Sequence, residues 1–203
     1  MKRRWNDFLV DSAFALSVFG WGVVGVCRNR VSDGISLPLI SILVLNVIVC
    51  LQLARRDAPS SQASFADALQ VLPSILLGPL LLFRAGEFSE WSTLRAMLFS
   101  AATLFAGYAL MTLSTSFAVF PSIRELVARG PYRWVRHPAY AGQLGMALLC
   151  VMLKIDAVGL LLACALVAAT IWRVVVEERF LASMSGYEAY CEQVRWRLIP
   201  LVW

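Results

Sequence analysis

Long apolar runs separated by short polar ones set the pattern of this chain. The first run, about Phe8–Cys27, has the roughly 20 residues needed to cross hydrocarbon. Others follow at about Ile35–Leu53, Leu69–Phe83, Ala96–Phe117, Ala139–Leu153 and from Ala157 onward. Such runs predict helices, because a backbone facing lipid must satisfy its own hydrogen bonds. Pro73 and Pro79 predict a kinked or broken third helix. The fifth run, about 15 residues or 22 Å of helix, is short of the roughly 30 Å hydrocarbon core. The fifth and sixth helices therefore either cross or form a hairpin that does not fully cross. The sixth is expected to continue past Glu178 to about Met184, where Ser185-Gly186 supplies a stop. At about 28 residues, or 42 Å, its last two turns should leave the bilayer with Arg173, Glu177 and Glu178. The predicted fold is all-α and polytopic, with about six transmembrane or membrane-embedded helices.

Composition agrees with that pattern. Apolar residues make up 60% of the 203, above the roughly 45–50% of soluble domains, and mean hydropathy is +0.72. The formal charge of +5 raises the question of nucleic acid. No basic run exceeds Lys2-Arg3-Arg4, so no nucleic-acid partner is predicted. The five cysteines (Cys27, Cys50, Cys150, Cys164 and Cys191) are scattered without CxxC or Cys/His spacing, so neither a metal site nor a disulfide framework is predicted. The basic, then apolar, N-terminus resembles a signal peptide. Asp11 interrupts it and no small-residue cleavage site follows, so a retained first helix is expected.

Counting Lys and Arg along the alternating loops puts thirteen on one side and five on the other. The positive-inside rule makes the richer side cytoplasmic, with both termini on it. Gly20-Trp21-Gly22-Val23-Val24-Gly25 fits a dinucleotide-binding G-x-G-x-x-G, but no strand or later acidic partner accompanies it. Close helix packing through small residues is the reading adopted.

The chemistry-bearing residues gather in one polar stretch, Arg129-Gly130-Pro131-Tyr132-Arg133-Trp134-Val135-Arg136-His137-Pro138-Ala139-Tyr140-Ala141-Gly142, which holds the only histidine. Gly130-Pro131 is a turn signal, and Pro138 suits the first position of a helix with His137 just outside it. The free amides of that helix start favour a carboxylate. His137 is by default a satisfied structural group; its place between Tyr132 and Tyr140 on the water-facing side raises a functional role. Arg173 and Glu177, spaced i, i+4, are either a surface ion pair or, following an apolar run, charges that face a cavity. Glu178, about 100° further round, is expected to face water. Arg129, Arg133 and Arg179 are expected at lipid headgroups, and Tyr187 and Tyr190 at the interface. The tail ends in Leu198-Ile199-Pro200-Leu201-Val202-Trp203, an interfacial anchor by composition. Residues 1–121 read as an N-terminal four-helix region. Residues 122–203 read as the chemical core of connector, elbow, helix pair and tail.

Gly130-Pro131-Tyr132 … Arg136-His137-Pro138-x-Tyr140-x-Gly142, followed by Glu177-Glu178-x-x-Leu181 … Tyr187-x-x-Tyr190, resembles the isoprenylcysteine carboxyl methyltransferase family, which is related to the membrane phospholipid N-methyltransferases. The resemblance implies transfer of a methyl group from S-adenosylmethionine to a lipophilic acceptor at the cytoplasmic membrane face. It puts Leu126, Val127 and Tyr132 on the cofactor pocket wall and His137, Pro138, Tyr140 and Gly142 in the cofactor-binding turn. It makes Glu177 the carboxylate that holds the cofactor and Arg173 the acceptor-side arginine. Carboxyl O-methylation is the favoured reaction. A phospholipid or amine N-methyltransferase, with His137 or Glu177 as base, and a non-catalytic lipid-binding or transport component are the alternatives.

Overall fold

The structure, a computed structural model, describes residues 19–29, 34–55, 61–62, 65–116, 122–123, 126–152 and 155–203. The expected first span lies mostly outside them, as do Lys2, Arg3, Arg4, Asp11, Arg30, Arg56, Arg124 and Lys154. The described residues are almost entirely helical. α1 covers 19–28. α2 (Leu37–Arg55), α3 (Phe65–Arg84), α4 (Thr93–Leu113), α5 (Pro138–Val151), α6 (Ala157–Leu181) and the short α7 (Tyr187–Gln193) follow. Among these, α2, α4 and α6 are long and apolar enough to cross a membrane. α5 has 14 residues, about 21 Å of helix, short of the roughly 30 Å hydrocarbon core. α3 runs as one helix through both Pro73 and Pro79. Of the kinked or broken helix expected, the broken form is therefore excluded, while each proline still withholds an N–H from the carbonyl four residues before it.

Local chemistry sets the boundaries. Ser92 caps α4 by accepting from the Arg95 amide at 3.3 Å. Asp156 caps α6 by accepting from the Gly159 amide at 2.6 Å. α6 stops at Leu181, three residues earlier than expected, and Gly186 in the left-handed region (φ 85°) turns the chain into α7.

α4 packs between α2 and α5, while α3 lies along α6 and touches α5. Glycine carries the closest approaches. A Cβ on Gly142 would lie 2.8 Å from the Ala106 Cβ and 3.0 Å from the Ala102 carbonyl oxygen, so α5 meets α4 at backbone distance. On α1 a Cβ at Gly22 would overlap the Asn46 side chain and one at Gly25 would lie 3.3 Å from the Ile42 Cδ1, while Gly20 is in ordinary contact with Pro79, which makes the glycine run of α1 a packing surface. The buried centre combines Ile42, Leu82, Phe99, Met146 and Leu166 with Trp21 and Trp91. Val23, Val47, Leu104 and Leu161 are exposed, as expected of a lipid-facing shell.

The bundle has two polar ends. At one, the Arg28 guanidinium lies over the Phe83 ring at 4.3 Å, and Arg84 donates to both oxygens of Asp156 at 3.0 and 2.8 Å. Arg95 reaches the Met152 carbonyl there. At the other end, Ser61–Gln62 pairs antiparallel with Ser122–Ile123, tying the α2–α3 linker to the connector before the elbow. The elbow, the end of α6, α7 and the tail are all at this second end. Its arginines belong to the arginine-rich set of the sequence count.

Candidate functional site

The elbow starts at Gly130, whose φ of +56° suits glycine. A Cβ there would also lie 3.0 Å from the Thr112 Cγ2 of α4. One turn of 3₁₀ helix, Gly130–Arg133, follows and buries Tyr132, whose carbonyl accepts from the Tyr190 hydroxyl at 2.8 Å. Burial first, and the charge of Glu177 second, push the Tyr132 phenol well above its ordinary pKa, so it stays neutral. The tail then comes alongside. Val135 bridges Trp196 in parallel, the Arg136 amide donates to the Trp196 carbonyl at 2.9 Å, and the His137 amide donates to the Arg197 carbonyl at 2.8 Å. These bonds seat His137 immediately before Pro138, as the sequence predicts.

The helix start offers less to an anion than expected. The Tyr140 and Ala141 amides both donate to the His137 carbonyl at 3.2 Å, and Pro138 has no N–H. Of the first-turn amides, Ala139 alone is outside these two bonds.

Two adjacent carboxylates on α6 meet this elbow in different ways. Glu178 takes Arg136 on Oε1 at 2.9 Å, His137 Nε2 on the same oxygen at 3.3 Å, and the Arg197 Nε–H on Oε2 at 2.8 Å. Its side chain is 12% exposed, against the expectation that it faces water. Glu177 accepts from the Tyr140 hydroxyl on Oε2 at 2.7 Å, with His137 Nδ1 at 3.9 Å, beyond hydrogen-bond range. Its side chain is 26% exposed, and Oε1 takes no hydrogen bond from the described residues. The Tyr140 ring stacks on His137 (5.6 Å, 6°), and the Arg173 guanidinium sits 4.7 Å over it. Arg173 is buried and donates to the Ser74 hydroxyl of α3 at 3.3 Å. A single tyrosine thus connects the i, i+4 pair: its hydroxyl bonds to Glu177 and its ring lies beneath Arg173.

The sequence model of the isoprenylcysteine carboxyl methyltransferase family matches residues 94–183, from the first turn of α4 to just past α6. The match covers 90 of the 203 residues and is a similarity to that family. The family implies a methyltransferase of the membrane, in keeping with the three span-length apolar helices. A search of curated proteins gave no match.

The matched stretch and its surroundings bring most of the expected residues together. Tyr132, His137, Pro138, Tyr140, Arg173 and Glu177 form one cluster with Glu178. Leu126 packs with Tyr187, Tyr190 and Val194 instead, and Val127 is half-buried beside it. Gly142 is on the α4 side of α5, where its part is packing. Tyr187 and Tyr190 are buried rather than interfacial, because α7 folds back over the elbow. Arg129, Arg133 and Arg179 are exposed, whereas Arg136 is drawn in by Glu178, the Cys191 sulfur and the Arg195 carbonyl.

Sequence reasoning missed Arg197, Ser74 and Gln143, all outside or peripheral to the motif. Ser74 had one visible signal, a hydroxyl beside a proline within an apolar helix.

Proposed function

We propose that this chain is an S-adenosylmethionine-dependent methyltransferase that methylates a carboxylate on a lipophilic acceptor, at the membrane face bearing the elbow. The observation that carries this reading is the division of labour between the two glutamates. Both oxygens of Glu178 are used within the protein, whereas Glu177, one residue earlier and more exposed, keeps Oε1 for a ligand. A carboxylate with a spare oxygen fits ribose hydroxyls or an α-amino group, both found in S-adenosylmethionine. That molecule has no phosphate, so the lack of a Gly-rich phosphate loop in the sequence is no obstacle. It supplies a methyl group already activated on a sulfonium.

The protein's task is therefore to hold and orient two reactants and to keep water out. Glu177 binds the donor, with the Tyr140 hydroxyl fixing the carboxylate. Tyr132, His137, Pro138 and the half-buried Leu126 and Val127 wall that side. Arg173 orients the acceptor carboxylate, and burial strengthens its pull. A carboxylate acceptor arrives deprotonated and needs no general base. Gly142 lets α5 approach α4 and so sets the elbow's height. The side rich in Lys and Arg, with this site on it, is the cytoplasmic one.

Calorimetry with S-adenosylhomocysteine on the purified full-length protein tests the reading. Saturable one-site binding that Glu177→Ala abolishes is expected. Absence of saturable binding by the wild type would overturn it, leaving a lipid-binding component without a reaction.

A further inference from the structure

We propose that Ser74, on α3 and outside the matched stretch, is a positioning residue for the acceptor arginine, and that α3 thereby contributes to selection of an anionic acceptor. The inference rests on the reading of Arg173 given above. An arginine inside an apolar helix needs partners, since a buried guanidinium without hydrogen bonds is strongly unfavourable. Arg173 is 5% exposed and Ser74 is fully buried. The Ser74 hydroxyl accepts from Arg173 Nη1 at 3.3 Å, while its carbonyl accepts from Gln143 Nε2 of α5 at 2.5 Å. Ser74 is thus held from α5 through its backbone and holds α6 through its side chain. Three helices are fixed to one another at the level of the guanidinium.

Pro73 and Pro79 bracket the serine. Each lacks an N–H, so this part of an apolar helix carries more backbone polarity than an ordinary turn. The Tyr140 ring at 4.7 Å supports the guanidinium by its face. Ser74 Oγ and the ring are therefore two separate constraints on one planar group. A guanidinium oriented in this way presents its fork in a set direction, as bidentate recognition of a carboxylate requires. Removing the hydroxyl leaves the charge in place and takes away one of the constraints on its orientation.

The test uses full-length protein in lipid nanodiscs and two probes, N-acetyl-S-farnesylcysteine and its methyl ester, with and without S-adenosylhomocysteine. The wild type is expected to bind the acid more tightly than the ester. Ser74→Ala should weaken acid binding about five- to tenfold, the scale of one ordinary hydrogen bond, and leave the ester unchanged. The Kd for S-adenosylhomocysteine should not move. Arg173→Gln should erase the acid preference, and adding Ser74→Ala to it should change nothing further. Equal loss of acid and ester in Ser74→Ala would reduce the serine to a packing role and overturn the proposal. So would an unchanged acid affinity, or a wild type that does not prefer the acid. Failure to bind S-adenosylhomocysteine, by contrast, counts against the methyltransferase reading, while the acid–ester comparison still decides the role of Ser74.

Discussion

Replacing Glu178 by Gln should damage stability more than any other single change at the site, although Glu177 is the residue assigned to the ligand. The carboxylate neutralises Arg136 at 2.9 Å and Arg197 at 2.8 Å, and also accepts from His137. Its partners differ in exposure: the Arg136 side chain is 9% exposed and that of Arg197 is 34%. Loss of one member of a buried pair costs about 3–5 kcal/mol, mostly through the charge left behind, while an exposed pair is worth about 1 kcal/mol or less. Arg136 keeps the Arg195 carbonyl and the Cys191 sulfur as acceptors, so the low end, about 3 kcal/mol, is appropriate for Glu178→Gln. Arg197→Ala should cost about 1 kcal/mol or less. In Glu177→Gln the retained amide oxygen still accepts from Tyr140, so the loss should be below about 1 kcal/mol, yet affinity for S-adenosylhomocysteine should collapse. Thermal unfolding in a fixed detergent, paired with calorimetry, separates the two glutamates. If Glu177→Gln proves the more destabilising, or Arg197→Ala costs as much as Glu178→Gln, the argument from exposure is wrong.

Further outcomes follow from packing and capping. Gly142→Ala places a Cβ against the α4 backbone and should cost about 1–3 kcal/mol by thermal unfolding. Gly145→Ala, whose Cβ meets only the Ala102 Cβ at 3.4 Å, should be tolerated in the same assay. Tyr190→Phe removes the donor to the buried Tyr132 carbonyl and should cost about 1–2 kcal/mol in thermal unfolding. Asp156→Ala, at the far end of the bundle, loses both the α6 cap and the Arg84 pair. A loss of about 1–2 kcal/mol with unchanged S-adenosylhomocysteine affinity is expected by unfolding and calorimetry.

The three span-length helices α2, α4 and α6 were legible because length and hydropathy are properties of single segments. The elbow was legible because Gly130, Pro131 and Pro138 act on their own backbone. Glu178 shows where such reasoning stops. A helical wheel puts residues 177 and 178 about 100° apart, and with Glu177 facing the elbow the other carboxylate is sent to water. The structure sends it elsewhere because the tail, residues 194–203, returns beside Val135–His137 and adds a second wall. Arg197 from that tail then covers the face that would otherwise be solvated. Nothing in the spacing of the tail announces this, since a two-residue parallel contact has no periodic signature. Ser74 was hidden for a related reason: its partners, Gln143 and Arg173, are 69 and 99 residues away. The chemistry-bearing residue types of the motif could be read one at a time. Which of two neighbouring carboxylates keeps an oxygen for a ligand depends on what long-range contacts have already claimed. The spare oxygen of Glu177 is therefore a property of the folded tail as much as of the motif. A chain lacking residues 194–203 should lose affinity for S-adenosylhomocysteine in calorimetry, because the Trp196 and Arg197 carbonyls no longer seat Arg136 and His137 and Arg197 no longer holds Glu178, even though every motif residue of the matched stretch would still be present.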